Sequence, residues 1–429
     1  MTLPTDASGP QSHTGGGTHR EGGRPPSRPP QRISPAHPGP ALPQPKPVLF
    51  VTGHAPPDRV GAFARLHELE NVEFALFGGR SKHGGPASTE GETLDRDLPV
   101  PHRYIHQHEP VALATSGRYR AVVCSTGGRV ALGATWAGTR RARLPLILWT
   151  SLWAHPRSPA HALSFLALRR LYRSADAVVT YGPHVSAYVG ARGARNVHVA
   201  PQAVDNDFWG APATATPSWP TAGFDDGGAD RPPSPEQAQT KFLFVGRPAR
   251  EKGLRVLLEA WRTTGLQAPT AALVFVGMGS IPPWVSAGGA AGQGGDGVLC
   301  LDPVTPIELR NIYAACDVLV LPSIPTRTFR EPWGLVANEA MNRGLPVIAS
   351  DGAGAAAGGL VRDGRNGLVV PAGDSHALAG AMLRLTGEPA LRARLGKAGA
   401  EDVRAFTYDA WAEGFSHALA SLGLARERW

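Results

Sequence analysis

Residues 316–323 read Cys-Asp-Val-Leu-Val-Leu-Pro-Ser, an apolar run that ends in a proline and a serine. An apolar run of this length without polar alternation predicts a strand that is covered on both faces, as in a parallel sheet. The run lies between two patterns of helical length, at 306–316 and at 335–341. A strand that alternates with helices predicts a doubly wound α/β domain.

The same alternation extends along the rest of the chain. In the C-terminal half, the other predicted strands are Lys241–Val245, Ala272–Val276, Pro346–Ser350 and Gly367–Val370, and the other predicted helices are Gly253–Arg262 and Ser375–Leu385. A separate series of strands is predicted at Pro47–Val51, Val72–Phe77, Ala121–Cys124, Leu146–Trp149, Ala177–Thr180 and Val197–Val199. The sequence therefore predicts an α/β fold with two doubly wound, parallel-sheet domains of the Rossmann kind.

Composition divides the 429 residues into ordered and poorly ordered parts. Residues 1–46 contain 18 glycine or proline residues and almost no large apolar side chains, so they cannot bury enough surface to offset the entropy of ordering. We expect a disordered tail at 1–46, an N-terminal domain at 47–205, a linker or inserted loop at 206–240, a C-terminal domain at 241–405 and C-terminal helices at 406–429.

Composition also excludes several classes of protein. Hydrophobic residues make up 42% of the chain, which excludes a wholly disordered protein. Three cysteines are too few for a disulfide scaffold and indicate a reducing, cytoplasmic setting. The sequence has neither an apolar stretch of membrane-spanning length nor the core of a signal peptide. We therefore expect a soluble protein that is at most peripheral to a membrane.

Ligands of open α/β sheets bind beyond the carboxyl ends of the strands, so the loops after the strands are the candidate sites. The loop after the predicted strand at 241–245 reads Gly-Arg-Pro-Ala-Arg-Glu-Lys-Gly and holds Arg247 and Lys252 near the start of a helix. Two cations beside free backbone N–H groups favour an anion such as a diphosphate. The alternative is a solvated basic loop.

A second loop, after the predicted strand at 318–321, contributes two carboxylates. Residues 331–339 read Glu-Pro-Trp-Gly-Leu-Val-Ala-Asn-Glu, with a proline that is typical of a helix start. Gly334 leaves the first amides open to an oxyanion, and Glu331 and Glu339 would hydrogen-bond sugar hydroxyls beside it. The alternative is a capping carboxylate and a solvated helix glutamate.

Five motifs, in order, resemble the family 4 retaining glycosyltransferases, which have the two-domain GT-B fold. They are Gly-Arg-(x)4-Lys-Gly, Cys-Asp-Val-Leu-Val-Leu-Pro-Ser, Glu-(x)7-Glu, Gly-Leu-Pro-Val-Ile-Ala-Ser at 344–350 and Asp-Gly-Arg-Asn-Gly-Leu-Val-Val-Pro at 363–371. The resemblance is strong over about 241–405 and weaker over 47–205. It implies two domains that face each other across a cleft, and a final helix that crosses back to the first domain with Trp411 and Phe415 as packing residues.

The resemblance implies that a nucleotide diphosphate-sugar binds to the C-terminal domain as a co-substrate, with no separate cofactor and no bound metal. Arg247 and Lys252 would hold the donor diphosphate, and Glu331 would contact the donor sugar near the reacting carbon. The other implied contacts are Glu339 with the ribose, backbone amides at Trp333, Gly334 and Leu335 with phosphate or sugar, and backbone near Val304 with the base.

The acceptor is expected on the N-terminal domain. His155 follows the predicted strand at 146–149 and resembles the loop histidine that many members place near the donor sugar. There it would hydrogen-bond a hydroxyl or take part in proton transfer. The alternative is a structural loop histidine. The loop at 51–54, Val-Thr-Gly-His, departs from the two-glycine turn that is common after the family's first strand.

Positive charge is concentrated in the same half of the chain. The formal net charge is +8, and residues 110–175 alone contain ten arginines and no acidic residue. A basic amphipathic helix in this region would contact an anionic membrane at its inner face, or the region would suit an anionic or lipid-linked acceptor. The alternative is a packed helix with a basic solvent face. No DNA-binding motif accompanies the charge, so we expect no nucleic-acid partner.

The predicted function is a retaining glycosyltransferase that moves a sugar from a nucleotide diphosphate-sugar to an acceptor hydroxyl of a glycan, a lipid-linked molecule or a small molecule. Two other classes stay open: a sugar-nucleotide epimerase of the same fold and a non-catalytic sugar-binding protein. An epimerase is expected to place further acid and base residues around the donor sugar. The sugar, the base and the acceptor are left open.

Overall fold

The computed structural model describes residues 45–78, 98–157, 159–217, 219, 237–283 and 297–426. Residues 1–44 of the predicted disordered tail are not among the described residues. The same holds for residues 220–236 of the predicted linker and for the last three residues of the chain.

The first sheet is parallel throughout and has the strand order β3-β2-β1-β4-β5-β6-β7. Its strands are β1 (Val48–Thr52), β2 (Val72–Leu76), β3 (His102–Tyr104), β4 (Ala121–Ser125), β5 (Leu146–Thr150), β6 (Ala177–Thr180) and β7 (Val197–Val199). The helices of the N-terminal domain are α1 (Val60–Glu70), α2 (Pro110–Thr115), α3 (Arg129–Ala142), α4 (Pro159–Ser174) and α5 (Pro183–Gly190), and they are followed by α6 (Asn206–Gly210), which packs on the C-terminal domain.

The second sheet is also parallel throughout and has the order β10-β9-β8-β11-β12-β13. Its strands are β8 (Thr240–Val245), β9 (Ala271–Val276), β10 (Val298–Leu301), β11 (Val318–Leu321), β12 (Val347–Ser350) and β13 (Gly367–Val370). The helices along it are α7 (Leu254–Thr264), α8 (Pro306–Ala315), α9 (Val336–Asn342), α10 (Gly354–Ala357), α11 (Ser375–Gly387) and α12 (Pro389–Asp402), and the chain ends with α13 (Tyr408–Ala420).

The central strands are those that the apolar runs predict. All residues of β1, β9 and β11 are buried, because helices cover both faces of each sheet. The sequence analysis misses two of the four edge strands, β3 and β10, whereas it predicts the other two, β7 and β13. β3 reads His-Arg-Tyr and has two exposed residues, so it lacks the apolar run that marks a strand buried on both faces.

The C-terminal helix α13 packs on the N-terminal domain. Trp411 and Phe415 are fully buried there: the ring centroid of Phe415 lies 5.5 Å from that of Phe50, and the ring centroid of Trp411 lies 5.8 Å from that of Trp149. α13 also crosses α1 closely, since a Cβ at Gly61 would lie 2.3 Å from the ring of Tyr408. The chain therefore returns to its first sheet after it completes the second.

Residues 206–219 differ from the predicted linker or inserted loop. Residues 206–210 form α6, and the side chain of Asp205 caps this helix by accepting from the amide of Phe208. Trp209 packs edge-on against Tyr313, with ring centroids 5.7 Å apart, and Trp219 is buried in the same hydrophobic cluster. Aromatic burial therefore joins this segment to the core of the C-terminal domain.

Candidate functional site

The ion pair between Lys252 and Glu331 lies at the centre of the candidate site. Lys252 ends a short 3-10 turn after β8, and Glu331 lies in the long loop after β11. Nζ of Lys252 donates to Oε2 of Glu331 at 2.6 Å, and the hydroxyl of Ser323 donates to the same oxygen at 3.4 Å. Glu331 is 7% exposed, so its charge is largely removed from water. This pair joins the two sequence motifs in space.

A glycine allows the two loops to approach each other this closely. Gly253 has a φ of +72°, and a Cβ at this position would lie 1.9 Å from the carbonyl oxygen of Pro322. The amide of Ile324 donates to the carbonyl of Glu251 at 2.9 Å and holds the loops together. Any side chain at residue 253 would therefore force apart the loops that carry Lys252 and Glu331.

Arg247 stands apart from the pair. Its guanidinium donates to Glu251 at 2.9 Å, and its side chain is 67% exposed. Gly246 has a φ of +155°, and a Cβ at Gly277 would lie 3.0 Å from the carbonyl oxygen of Gly246. The ends of β8 and β9 therefore lie so close together that a side chain at residue 277 would press on the backbone of Gly246, and Arg247 follows directly on the solvent side.

Glu339 makes a second buried contact. Its Oε2 accepts from the hydroxyl of Tyr313 at 2.7 Å, and Tyr313 is fully buried. Glu339 keeps some accessible surface, but it lies deep enough for desolvation to raise its pKa to about 7. The hydrogen bond from Tyr313 opposes this rise in pKa, and the charge of Asp58 in the N-terminal domain adds to it.

The residues between the two glutamates are fixed by packing. The indole Nε1 of the buried Trp333 donates to Asn338 at 2.8 Å, and the amide group of Asn338 donates to the carbonyl of Gln202 at 3.0 Å. Gly334 has a φ of +102°, and a Cβ there would lie 2.7 Å from the side chain of Leu321. Leu335 immediately precedes α9.

Val304, the proposed contact of the base, lies after β10. It is partly buried and packs against the same hydrophobic cluster as Tyr313 and Trp333. The next residue, Thr305, starts α8 through a capping box with Glu308. Val304 therefore sits in a loop whose following helix is firmly capped.

Two residues of the N-terminal domain contact the loop of Glu331, and sequence reasoning did not identify either as a site residue. The indole Nε1 of Trp153 donates to the carbonyl of Glu331 at 3.1 Å. Nε2 of His184 lies 3.3 Å from the carbonyl oxygen of Pro332, and burial lowers the pKa of this histidine. His184 follows β6 within Gly-Pro-His, and its place at a strand end is the signal that could have found it.

His155 lines a cavity of about 590 Å³ between the domains. Residues 151–157 form one side of this cavity, and residues 325–330 with Pro332 form the other. The imidazole of His155 packs edge-on against Phe165, with ring centroids 5.1 Å apart. His155 thus lies in the space beside the loop of Glu331 and does not lie at the ends of β8 and β9, where Arg247 is found.

In the part of the chain that the structure describes, no group of three or more histidine, cysteine, aspartate or glutamate residues is placed to hold a metal ion. The same residues include no helix that is both long and apolar enough to cross a membrane.

Part of the chain matches a known protein family. Residues 239–388 match the family model described as glycosyl transferases group 1. The matched residues include β8, β11 and the loops that bring Lys252 and Glu331 together.

Two curated relatives match parts of the chain. The D-inositol 3-phosphate glycosyltransferase of Corynebacterium glutamicum is 40% identical over 115 residues, which are 26% of this chain and 25% of that protein. The phosphatidyl-myo-inositol mannosyltransferase of Mycobacterium leprae is 36% identical over 168 residues, which are 39% of this chain and 42% of that protein. The chain thus spans less than half the length of these relatives.

Solved structures match much more of the chain. The Anabaena protein HepE, crystallised in complex with UDP and glucose, aligns with a TM-score of 0.61 at 17% identity, over 88% of this chain and 100% of that one. This likeness shows the fold. The predicted GT-B fold is confirmed, and the predicted resemblance is confirmed because residues 239–388 of the C-terminal domain match the group 1 glycosyl transferases.

Proposed function

We propose that this chain is a retaining glycosyltransferase that moves a sugar from a nucleoside diphosphate-sugar to an acceptor hydroxyl. The Lys252–Glu331 contact of 2.6 Å carries the proposal. The contact brings a cation and a carboxylate side by side at the carboxyl edge of a parallel sheet, where ligands of such sheets bind; we assign the cation to the phosphate and the carboxylate to the sugar. The whole contact lies within the residues that match the family model.

The donor diphosphate is proposed to bind at the ends of β8 and β9. Gly246 and Gly277 carry no side chain that would shield the backbone there, and the exposed guanidinium of Arg247 follows directly after Gly246. Glu339 would accept hydrogen bonds from the ribose, next to the loop of Val304 that would contact the base. The complex of HepE with UDP and glucose supports a donor of this class.

In the proposed reaction, the bond between the anomeric carbon and the phosphate oxygen breaks while the acceptor oxygen bonds to the same carbon. Negative charge then develops on the departing diphosphate, and Lys252 and Arg247 stabilise this charge electrostatically. The acceptor attacks from the face that the nucleotide leaves, so the configuration is retained. Its proton passes to the departing phosphate oxygen, which is the base on that face. No metal and no further cofactor takes part in this proposal.

Product analysis tests the proposal against its two alternatives. The full chain is incubated with a panel of nucleoside diphosphate-sugars and acceptors, including inositol phosphates because the names of both relatives contain inositol. We expect a free nucleoside diphosphate and a glycoside with the anomeric configuration of the donor. An altered sugar nucleotide without a glycoside would establish the epimerase instead, and binding without any product would establish a sugar-binding protein.

A second proposal concerns the location of the enzyme. Leu166, Arg169, Arg170 and Arg173 of α4 are all exposed, and their spacing of three and four residues places them on one face of the helix. Leu166 alone is 65% exposed. An apolar residue within a basic face suits an anionic membrane surface. We propose a cytoplasmic protein that contacts the inner face of the membrane through this helix face.

Vesicle sedimentation tests this location. The full chain should pellet with vesicles that contain phosphatidylglycerol, and high salt should release it because the attraction is electrostatic. Arg169→Gln combined with Arg173→Gln should reduce pelleting. Equal pelleting with neutral and anionic vesicles would overturn the proposal.

A further inference from the structure

The cavity lined by residues 151–157, 325–330 and Pro332, called here the arginine cavity, differs in charge from the rest of the cleft. We propose that it binds a phosphoryl group of the acceptor, so that the acceptor is a phosphate ester of a polyol or sugar. This inference rests on the proposed function and names the substrate class of the same site.

The charge of the arginine cavity is uncompensated. Arg157, Arg327 and Arg330 all line it, and none of its lining residues in the described part of the chain is acidic. Within that same part, none of the three guanidinium groups forms an ion pair with a carboxylate. Three arginines that converge on one volume of about 590 Å³ raise its potential and favour a multiply charged anion.

Arg330 is held in place rather than solvated. The centre of its guanidinium lies 3.8 Å from the ring centroid of Trp153. Its Nε is buried and has no hydrogen-bond partner among the described residues. A cation that stacks on an indole while one of its N–H groups lacks an acceptor is prepared to bind an oxygen that arrives with a ligand.

The arginine cavity lies directly beside the proposed reaction centre. Trp153, which stacks on Arg330, donates its indole N–H to the carbonyl of Glu331, whereas the carboxylate of Glu331 faces Lys252. The backbone carbonyl of Glu331 therefore lies toward the arginine cavity, and its carboxylate lies toward Lys252. The amide of Arg157 donates to the carbonyl of Arg327 at 2.6 Å and joins the two walls of the cavity.

A neighbouring cavity of about 580 Å³ extends the space into the N-terminal domain. It shares residues 153–157 with the arginine cavity and adds Phe165, Tyr188 and Arg192. The guanidinium of Arg192 lies 3.4 Å from the ring centroid of Tyr188. Aromatic faces beside the anion site give the carbon skeleton of a polyol a surface to pack on.

Planar guanidinium groups favour phosphate as the anion. A guanidinium offers parallel N–H donors that match two phosphate oxygens, and several arginines together match a dianion better than a single carboxylate. The donor diphosphate has its own cations in Lys252 and Arg247, so the arginine cavity is left for the acceptor.

Binding of a matched pair of probes tests the inference without need of turnover. Calorimetry on the full chain compares myo-inositol with myo-inositol 1-phosphate. We expect the phosphate ester to bind at least about tenfold more tightly, and the double variant Arg157→Gln/Arg327→Gln to remove most of this difference. Both arginines are exposed, so the variant should fold like the wild type.

Two controls separate this site from the donor site. Arg141→Gln, at an exposed arginine of α3 outside the cavity, should bind the ester like the wild type. Arg247→Gln should also do so, because it removes a cation from the donor side only. Loss of ester binding in Arg247→Gln, or an unchanged preference in the double variant, would overturn the inference. If no glycoside forms with any donor but the double variant loses the ester, the proposed function fails and the anion site stands.

Vesicles distinguish a soluble ester from a lipid headgroup. Phosphatidylcholine vesicles with and without phosphatidylinositol are sedimented with the wild type and the double variant. Binding to phosphatidylinositol that depends on Arg157 and Arg327 assigns the phosphoryl group to a lipid. Binding of the soluble ester alone assigns it to a soluble acceptor. Failure of both probes to depend on these arginines overturns the site.

Discussion

The two charged regions of the cleft differ in how their charges are satisfied. In the C-terminal domain, Lys252 pairs with Glu331, Arg247 pairs with Glu251, and the hydroxyl of Tyr313 donates to the carboxyl group of Glu339. In the arginine cavity, the guanidinium groups meet no carboxylate among the described residues. One region is thus organised before a ligand arrives, whereas the other needs a ligand to neutralise it.

The difference follows from how each region is built. The loops of Lys252 and Glu331 belong to neighbouring strands of one sheet, and Gly253 and Ile324 lock them together. The arginine cavity is assembled from loops of two domains. The proposed donor side is therefore set for one charge pattern before a ligand binds, whereas the proposed acceptor side keeps an unneutralised positive potential that would select an anionic ligand.

The largest expected effect comes from breaking the central pair. Lys252→Ala should lower kcat/KM by about a thousandfold, because it removes a cation from the place where charge develops in the proposed transition state. Glu331→Gln should cause a fall of similar size while it keeps the shape of the side chain. Steady-state kinetics on both variants, with melting temperatures to check folding, makes the measurement.

Lys241→Ala is the matched control, since Lys241 lies at the other end of β8 and its Nζ donates to the carbonyl of Ala238. It should keep nearly wild-type kcat/KM. If the kcat/KM of folded Lys252→Ala stays within about tenfold of the wild-type value, the Lys252–Glu331 pair does not contribute to catalysis. The contrast drawn between the two charged regions would then not hold.

A smaller effect is expected where the backbone holds the pair. Gly253→Ala would place a Cβ 1.9 Å from the carbonyl oxygen of Pro322 at a φ of +72°. We expect a loss of about 2–3 kcal/mol in the free energy of unfolding, because the loops must separate and the backbone is strained. Urea denaturation measures the loss, and kcat should fall with it.

Gly265→Ala separates strain from collision. Gly265 has a φ of +63°, but a Cβ there would meet nothing within 4 Å. It should lose only about 1 kcal/mol and keep its activity. Equal losses in the free energy of unfolding for Gly253→Ala and Gly265→Ala would mean that the close approach of Gly253 to Pro322 does not stabilise the two loops.

The central strands and the Lys252 and Glu331 motifs could be predicted because each is a local pattern. An apolar run marks a strand covered on both faces, and a glycine-bordered cation after such a strand marks an anion site. β3 was not predicted because its residues, His-Arg-Tyr, form no apolar run. The roles of all the candidate site residues stay predictions: Arg247, Lys252, His155, Val304, Glu331, Trp333, Gly334, Leu335 and Glu339.

The cross-domain contacts could not be predicted for a different reason. Trp153 and Glu331 are 178 residues apart, and His184 and Pro332 are 148 residues apart. No local pattern links them, and the closure of the two domains alone brings them together. The arginine cavity could not be predicted for the same reason. Arg157 lies in the basic stretch at 110–175, whereas Arg327 and Arg330 lie far from it along the chain.

The raised pKa of Glu339 predicts an effect of about tenfold. With a pKa of about 7, this group is mostly a carboxylate above pH 7 and mostly neutral below it. A ribose hydroxyl donates better to the carboxylate, so the Kd of the nucleoside diphosphate identified by the product assay should rise about tenfold from about pH 8 to about pH 6. Glu339→Gln should flatten this profile, and a profile that stays equally steep would remove Glu339 from the ribose contact.

The stability of the ligand-free chain should change with pH in the opposite direction to nucleotide binding: it should fall as the pH rises. The pKa of Glu339 is higher in the folded than in the unfolded chain, so folding takes up a proton between the two values. Its contribution is therefore full below the ordinary glutamate pKa and is lost as the pH rises through about 7. Melting temperatures of wild type and Glu339→Gln across this range should converge at acid pH and part at neutral pH.

The smallest effect is expected at Arg247, which is paired but exposed. Its side chain is 67% exposed and already bonded to Glu251, so donor binding must exchange one carboxylate partner for a phosphate. Arg247→Gln should raise the donor Kd only about threefold to tenfold, and less at high salt. Glu251→Gln frees the same guanidinium and should lower the Kd about twofold. If the donor Kd rises in Arg247→Gln and falls in Glu251→Gln, Arg247 combines the two kinds of region: it is paired with a carboxylate, as on the proposed donor side, yet still available to a ligand, as in the arginine cavity. If the donor Kd shifts in the same direction in both variants, the Arg247–Glu251 pair itself shapes the proposed donor site.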